Sequence, residues 1–273
     1  MGCLPGKKMT VGSAAILLEG VAKSSYRQSD LRIVREGMPA YLMLLDGMVE
    51  TVPGNADLLL AAAQGYSSFA SAFIEDRNQQ YAALLFEKAK QYALKALEIK
   101  GGKNPEETPL DLFQKEINSF GKREVPYLFW AAACWANWIS QNLDSMEAMA
   151  QLPKVESMMQ RVLQIDEGYY YGGAHLFMGI WYASKPPMYG GDLKKSQNHF
   201  QKAFDFGKRK FLMAYVYYAD VYARKVQDKE LFISTLQTVL KTPADILPEI
   251  TLLNTVAQKK AKDLLEHAEE TFD

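Results

Sequence analysis

The chain has 273 residues, enough for one large domain or two small ones with a core that folds unaided. Its apolar fraction of 48%, charged fraction of 23% and formal net charge of −1 fit an ordinary globular chain and exclude the basic surplus that nucleic-acid binding needs. No stretch approaches the roughly 18 continuous apolar residues of a membrane-spanning helix.

The chain order begins with "MGC", followed by "LPGKK". A cysteine after a small residue resembles the tail of a lipoprotein signal, in which the chain is cut before Cys3 and lipid is attached to its thiol. The hydrophobic part of such a signal is expected to have stood upstream of Met1. Myristoylation of Gly2 is disfavoured, because Gly6 stands where Ser or Thr is wanted. Residues 1–10 are read as a flexible tether and 11–273 as one helical domain. "GSAAILLEGVA" after the tether is too short to span a membrane and is broken by Glu19.

From there on, apolar residues recur at spacings of three and four with alanine at close-packing positions, which predicts helices and almost no strands. One or two helices are expected between about Val11 and Val49. Breaks carrying Gly or Pro fall at "VPGN", "KGGKNPEETP", "KREVP", "DEGYYYGG", "KPPMYGG" and "KTPADILP". A last helix is expected from about Pro248 to Phe272.

Between these flanks runs a degenerate repeat. A tetratricopeptide unit is a helix pair of about 34 residues, whose first helix carries a large, then a small, then an aromatic residue. Tyr215, Ala219 and Tyr222, followed by Leu231, Thr235 and Thr238, fit it with Pro243 closing the unit. The same template finds His175, Gly179 and Tyr182 with Ser196, Phe200 and Ala203. It also finds Phe129, Ala133 and Ala136 with Val155, Met159 and Val162, and Leu59, Ala63 and Tyr66 with Ala89, Ala93 and Ala96. The expected fold is all-α: a right-handed solenoid of about four degenerate tetratricopeptide-like helix pairs with extra flanking helices. In the third unit, Gly190 and Gly191 supply unusual backbone angles and Asp192 caps the helix Leu193 to Phe206, so the segment reads as a structural elbow. It lacks the preceding strand and the Gly-Lys-Ser/Thr of a phosphate loop.

With the repeats in place the chain resembles the TatT family, tetratricopeptide-repeat lipoproteins associated with TRAP transporters. The resemblance runs nearly end to end. It rests on "EGMPAYLMLLDGMVETVPGN", "LLLAAAQGYSSFASAFIED", "AKQYALKALEIK", "EVPYLFWAAACWANWIS", "HLFMGIWYASKPPMYGGDLKKSQNHFQKAF" and "AQKKAKDLLEHAEETF". It implies a periplasmic protein held to the membrane only by its lipid anchor. It implies association with the TRAP solute-binding subunit and self-association into a trimer.

Catalytic chemistry finds little support. His175, His199 and His267 are far apart in sequence, without paired metal-ligand spacing. His175 reads as a satisfied core histidine, His199 and His267 as solvated. Cys134 reads as a small buried hydrophobe, and neither a Gly-x-Ser-x-Gly elbow nor a zincin signature is present. Neither a cofactor nor a metal is called for. Solenoids bind through the concave face of their first helices, which here would present Gln64, Ser68, Trp130, Asn137, Trp138, Leu176, Ile180, Ser184, Asp220 and Arg224. That mix suits a small organic or partly hydrophobic ligand. In the competing reading the inserted elbows fill this face, and Trp130, Trp135 and Trp138 belong to the core. Three functional readings stand: an accessory component of solute uptake, a general protein-interaction scaffold with no role in ligand handling, and an enzyme.

Overall fold

A computed structural model describes residues 5–74 and 78–272, with side chains from Ile16 onward. Every regular element among them is helical. The described residues begin in α1 (Pro5–Tyr26), which takes in residues 5–10 of the segment read as a tether. Cys3 lies outside the described residues. Two compact units follow from the internal contacts: Arg32–Asp166 with the start of α1, and Glu167 onward with Lys23–Leu31.

The first unit contains α2 (Leu31–Thr51), α3 (Ala56–Phe69), α4 (Gln79–Ile99), the short α5 (Leu110–Ile117), α6 (Val125–Ser140), the single turn α7 (Met146–Met149) and α8 (Leu152–Asp166). Local chemistry sets the starts. Asn55, ending "VPGN", accepts from the backbone N–H of Asp57 at 3.0 Å and of Leu58 at 3.2 Å. Asn78 likewise accepts from Tyr81 at 3.0 Å to open α4. Each cap satisfies donors that a helix start leaves without an intrahelical partner. Packing runs in sequence, α3 on α4, α4 on α6 and α6 on α8, with α3 also meeting α6. Ala63, Ala89 and Ala93 at these seams are fully or almost fully buried. Gly65 permits a close approach, since a Cβ there would stand 2.8 Å from Cδ2 of Leu42.

The second unit contains α9 (Tyr169–Ser184), α10 (Leu193–Phe206), α11 (Leu212–Tyr217), α12 (Lys229–Lys241), α13 (Thr251–Glu266) and α14 (Ala268–Phe272). Here α9 packs on α10, α11 on α12, and both of the latter on α13. Gly179 lets α10 close on α9, because a Cβ would meet the Phe200 ring at 2.9 Å. Asn254 on α13 is fully buried and satisfied on every side. It accepts from Leu212 N at 3.0 Å and donates to the carbonyls of Lys210 and Ala244, each at 3.0 Å.

Three features lie outside what propensity predicts. α3 and α11 each run on into a π-helical turn, Ala70–Ile74 and Tyr218–Ala223. α9 opens with three left-handed residues, Tyr170 (φ 49°), Tyr171 (φ 59°) and Gly172 (φ 73°). For tyrosine that conformation is strained, and the aromatic packing of both rings against Phe211, with centroids 6.3 and 5.6 Å away, offsets it.

Candidate functional site

In the first unit Gln64 and Ser68 are half-buried on α3. Asn137 of α6 donates from Nδ2 to Ser67 Oγ at 3.0 Å, a bond that ties α6 to α3. Trp130 is buried, and Trp138 is half-buried beneath a cation: Lys90 Nζ sits 3.7 Å from its ring centre. Lys90 is only 4% exposed and is neutralised by Glu106 at 3.1 Å and Glu87 at 3.3 Å. A second buried lysine, Lys154, donates to the carbonyls of Pro105 and Glu106 at 2.8 and 2.9 Å. The "KGGKNPEETP" insert is therefore pinned from inside by two ammonium groups beside the α6 tryptophans. Glu106 is one of the anchors, through its carboxylate to Lys90 and its carbonyl to Lys154. Cys134 is fully buried with Sγ 3.9 Å from the Ala63 carbonyl, and burial pushes its thiol up to about 12. It is a packing group without nucleophilic character at neutral pH.

In the second unit Leu176 is buried among Phe200, Phe204, Phe211 and Tyr222, and Ile180 packs half-buried against the same cluster. Ser184 is exposed at the end of α9. Asp220, half-buried on the π turn, holds Arg224 NH1 at 2.6 Å from its Oδ1. The guanidinium thus already has a carboxylate partner one turn away. Of the residues expected along a binding face, then, Trp130 and Leu176 are core groups, Asn137, Asp220 and Arg224 are engaged with neighbours, and Ser184 is exposed.

The elbow is built tightly. Asp192 Oδ1 accepts from Lys195 N at 2.9 Å, and this bond together with the neighbouring lysines lowers its carboxyl pKa. The Asp192 N–H donates to the Tyr182 carbonyl at 3.0 Å, and Gly191 N–H to Pro186 at 3.1 Å. Gly190 has φ +89°, and a Cβ on Gly191 would fall 1.9 Å from the Lys185 carbonyl oxygen. Lys185 Nζ caps the Trp181 ring at 3.6 Å, while Met188 and Tyr189 stand out into solvent at 81% and 68% exposure.

Two polar clusters escaped the sequence reading. Asp46 of α2 gathers Lys88 Nζ at 2.6 Å and the hydroxyls of Tyr66 at 2.7 Å and Tyr92 at 2.9 Å, which joins α2, α3 and α4. Burial and the bond to Asp46 push the Tyr92 hydroxyl up to about 12. Lys88 is held well above the usual lysine range: burial opposes its charge, but its bonds to Asp46 and Tyr66 prevail. Tyr66 was visible as a repeat position, whereas the spacing gives no sign that Asp46 faces it. The second cluster corrects the histidine reading. His199 is half-buried and meets His175 across the α9–α10 seam, so the two are neighbours in space. The repeat register carried the signal, because His199 stands one residue before the seam position Phe200 and His175 is itself a seam position.

Among the described residues no group of three or more His, Cys, Asp or Glu could hold a metal ion. None of their helices is long and apolar enough to cross a membrane. A protein of Treponema pallidum (strain Nichols), described only as uncharacterized, is 21% identical over 271 residues, covering 90% of this chain and 81% of the relative. The model of one family, TAtT, the TRAP transporter T-component, matches residues 27–272. With nearly the whole helical chain so matched, it belongs to the TRAP transporter T-component family.

Proposed function

We propose that this chain is a periplasmic, non-catalytic accessory protein of a TRAP-type uptake system, which associates with the solute-binding subunit and is anchored by lipid at Cys3. The observation that carries the reading is the family match over residues 27–272. The buried, protonated Cys134 offers no nucleophile for a catalytic role. Purification of the full chain from its own cells tests it: the TRAP solute-binding subunit should be the enriched partner. A pull-down without that subunit, from cells that express it, overturns the association. Fatty-acid labelling of the native protein against Cys3→Ser tests the anchor, and equal labelling of both removes Cys3 as the site.

The finer part of the proposal is that the chain, assembled as a trimer, receives a small organic or hydrophobic ligand along the first helices of its pairs. Ser184 is the cleaner probe, since Ile180 belongs partly to the core. Ser184→Trp should impair uptake while folding and partner binding persist, and normal uptake by that variant removes this face as the route. The mass of the detergent-solubilised protein in solution decides the trimer.

A further inference from the structure

The α9–α10 hairpin contains a polar contact for which solute handling has no use. His175 and His199 meet with Nδ1 2.9 Å from Nδ1. His175 is 2% exposed, and its other nitrogen, Nε2, lies 3.1 Å from Glu167 Oε2. An ionised carboxylate only accepts, so Nε2 of His175 carries the hydrogen and its Nδ1 is a lone pair. His199 must then donate from Nδ1, which leaves its Nε2 unprotonated. The rings are walled in. Phe206 stacks on His175 at 5.6 Å and 8°, and Tyr182 on His199 at 5.6 Å and 27°.

Counting hydrogens shows what the contact tolerates. The neutral pair holds one hydrogen between the two Nδ1 atoms. A first added proton goes to Nε2 of His199, and one hydrogen still bridges the rings. A second has only Nδ1 of His175 left to bind. Two N–H groups then face each other without a lone pair between them, each on a cation. We propose that this pair is a proton-sensitive latch, which holds α9 on α10 until the second added proton arrives and then releases the hairpin.

The surroundings favour that behaviour. Glu167, before α9, faces His175, and Lys202 of α10 stands 3.4 Å from the same carboxylate. Lys195 lies over the Tyr182 ring. From the π turn that follows α11, Tyr218 and Tyr222 reach Phe200 and contact neither imidazole in this way. Burial lowers both histidines. His199 falls to about 4, with His175 and Lys202 adding to the effect, whereas Glu167 partly restores His175. The two titrate as a coupled pair. Because the folded values lie below the ordinary 6.5, the unfolded chain binds more protons across that window. The stability carried by His199 is present above about pH 6.5 and is lost as pH falls toward and through about 4, and release, which needs the second proton on Nδ1 of His175, follows that first step. Release would reach the elbow directly, since Tyr182, stacked on His199, accepts the Asp192 N–H through its carbonyl.

Nitrogen-resolved NMR of the imidazoles at neutral pH should find His175 as the Nε2–H tautomer and His199 as the Nδ1–H tautomer. Any other assignment overturns the latch. The second measurement compares melting temperatures of wild type and His199→Gln from pH 7 to pH 4. The glutamine amide keeps a donor for Nδ1 of His175 but takes up no proton, so wild type should lose several degrees more than the variant. Equal losses overturn the proposal. Should His199→Gln fail to fold, the tautomers and the depressed titration of His199 in wild type decide alone. A melting temperature raised by Zn2+ in wild type and unchanged in the variant would make the pair a metal site and also overturn it.

Discussion

Replacement of Gly191 by alanine is the sharpest test of the elbow. The added Cβ would fall 1.9 Å from the Lys185 carbonyl oxygen and 2.7 Å from its carbon. Both are backbone atoms, so no rotamer change relieves the clash and the loop must move. Movement breaks the Gly191 N–H bond to Pro186 and strains the Asp192 N–H bond to Tyr182, at 3.1 and 3.0 Å. A typical backbone hydrogen bond contributes about 1 kcal/mol net, so losing both costs about 2 kcal/mol. For a domain of this size that is roughly 4–8 °C in melting temperature. Gly190→Ala is the control: nothing lies within 4 Å of its Cβ, but its φ of +89° costs a side chain roughly 1 kcal/mol. Urea titration followed by tryptophan fluorescence, which reports on nearby Trp181, reads the order. The elbow is not the rigid element described here if Gly191→Ala unfolds at the wild-type midpoint, or if Gly190→Ala is the more damaging change.

The other predictions concern the polar contacts between helices. Asp46→Ala should strip Lys88, Tyr66 and Tyr92 of their common acceptor and cost about 2 kcal/mol in a denaturant titration; a neutral result makes the cluster ornamental. Tyr92, with its raised hydroxyl pKa, contributes stability that is fully present below about pH 10 and is lost as pH rises through about 12. Ultraviolet titration should show a group of late-ionising tyrosines, part of which Asp46→Ala moves earlier. Asp192→Ala should lower the denaturant midpoint and Asp192→Asn much less, since asparagine caps equally well. In a Cys3→Ser background, Cys134 should resist iodoacetamide at pH 8 until the protein is unfolded, and rapid alkylation of the native chain would refute its burial.

Helix content, the glycine and proline breaks and the seams were readable because they depend on local pattern. The markers Ala63, Gly179 and Ala219 announced close approach, and all three are buried at helix contacts. Asp192 was readable for the same reason: a cap acts within its own turn. What the pattern hid depends on partners far away in sequence. Nothing in the pattern marks Lys90 or Lys154 as buried, yet the insert between α4 and α5 covers them and supplies the oxygens that make burial tolerable. The π turns after α3 and α11 are equally silent, because no residue type demands them. Of the proposed binding face, the sequence named the positions but not their neighbours. Asp220 and Arg224, both named for that face, stand one helical turn apart, and the ion pair between them engages the guanidinium within the helix.

The placement of the polar groups has a physical logic that bears on how such a chain binds a partner. Alanine and glycine seams bring helices close but are nearly featureless, so on their own they permit one helix to slide along another. A carboxylate shared by α2, α3 and α4, a histidine pair between α9 and α10, and Asn254 bridging α13 to the loops on either side of it each satisfy their bonds in one register only. Slippage would leave buried polar atoms without partners, at a cost far above that of shifting an alanine. Register fixed in this way holds Met188 and Tyr189 on a loop that the Asp192 cap and the Gly191 close approach already constrain. A partner that met that loop would find its backbone already ordered, and little of its binding free energy would go into arranging it.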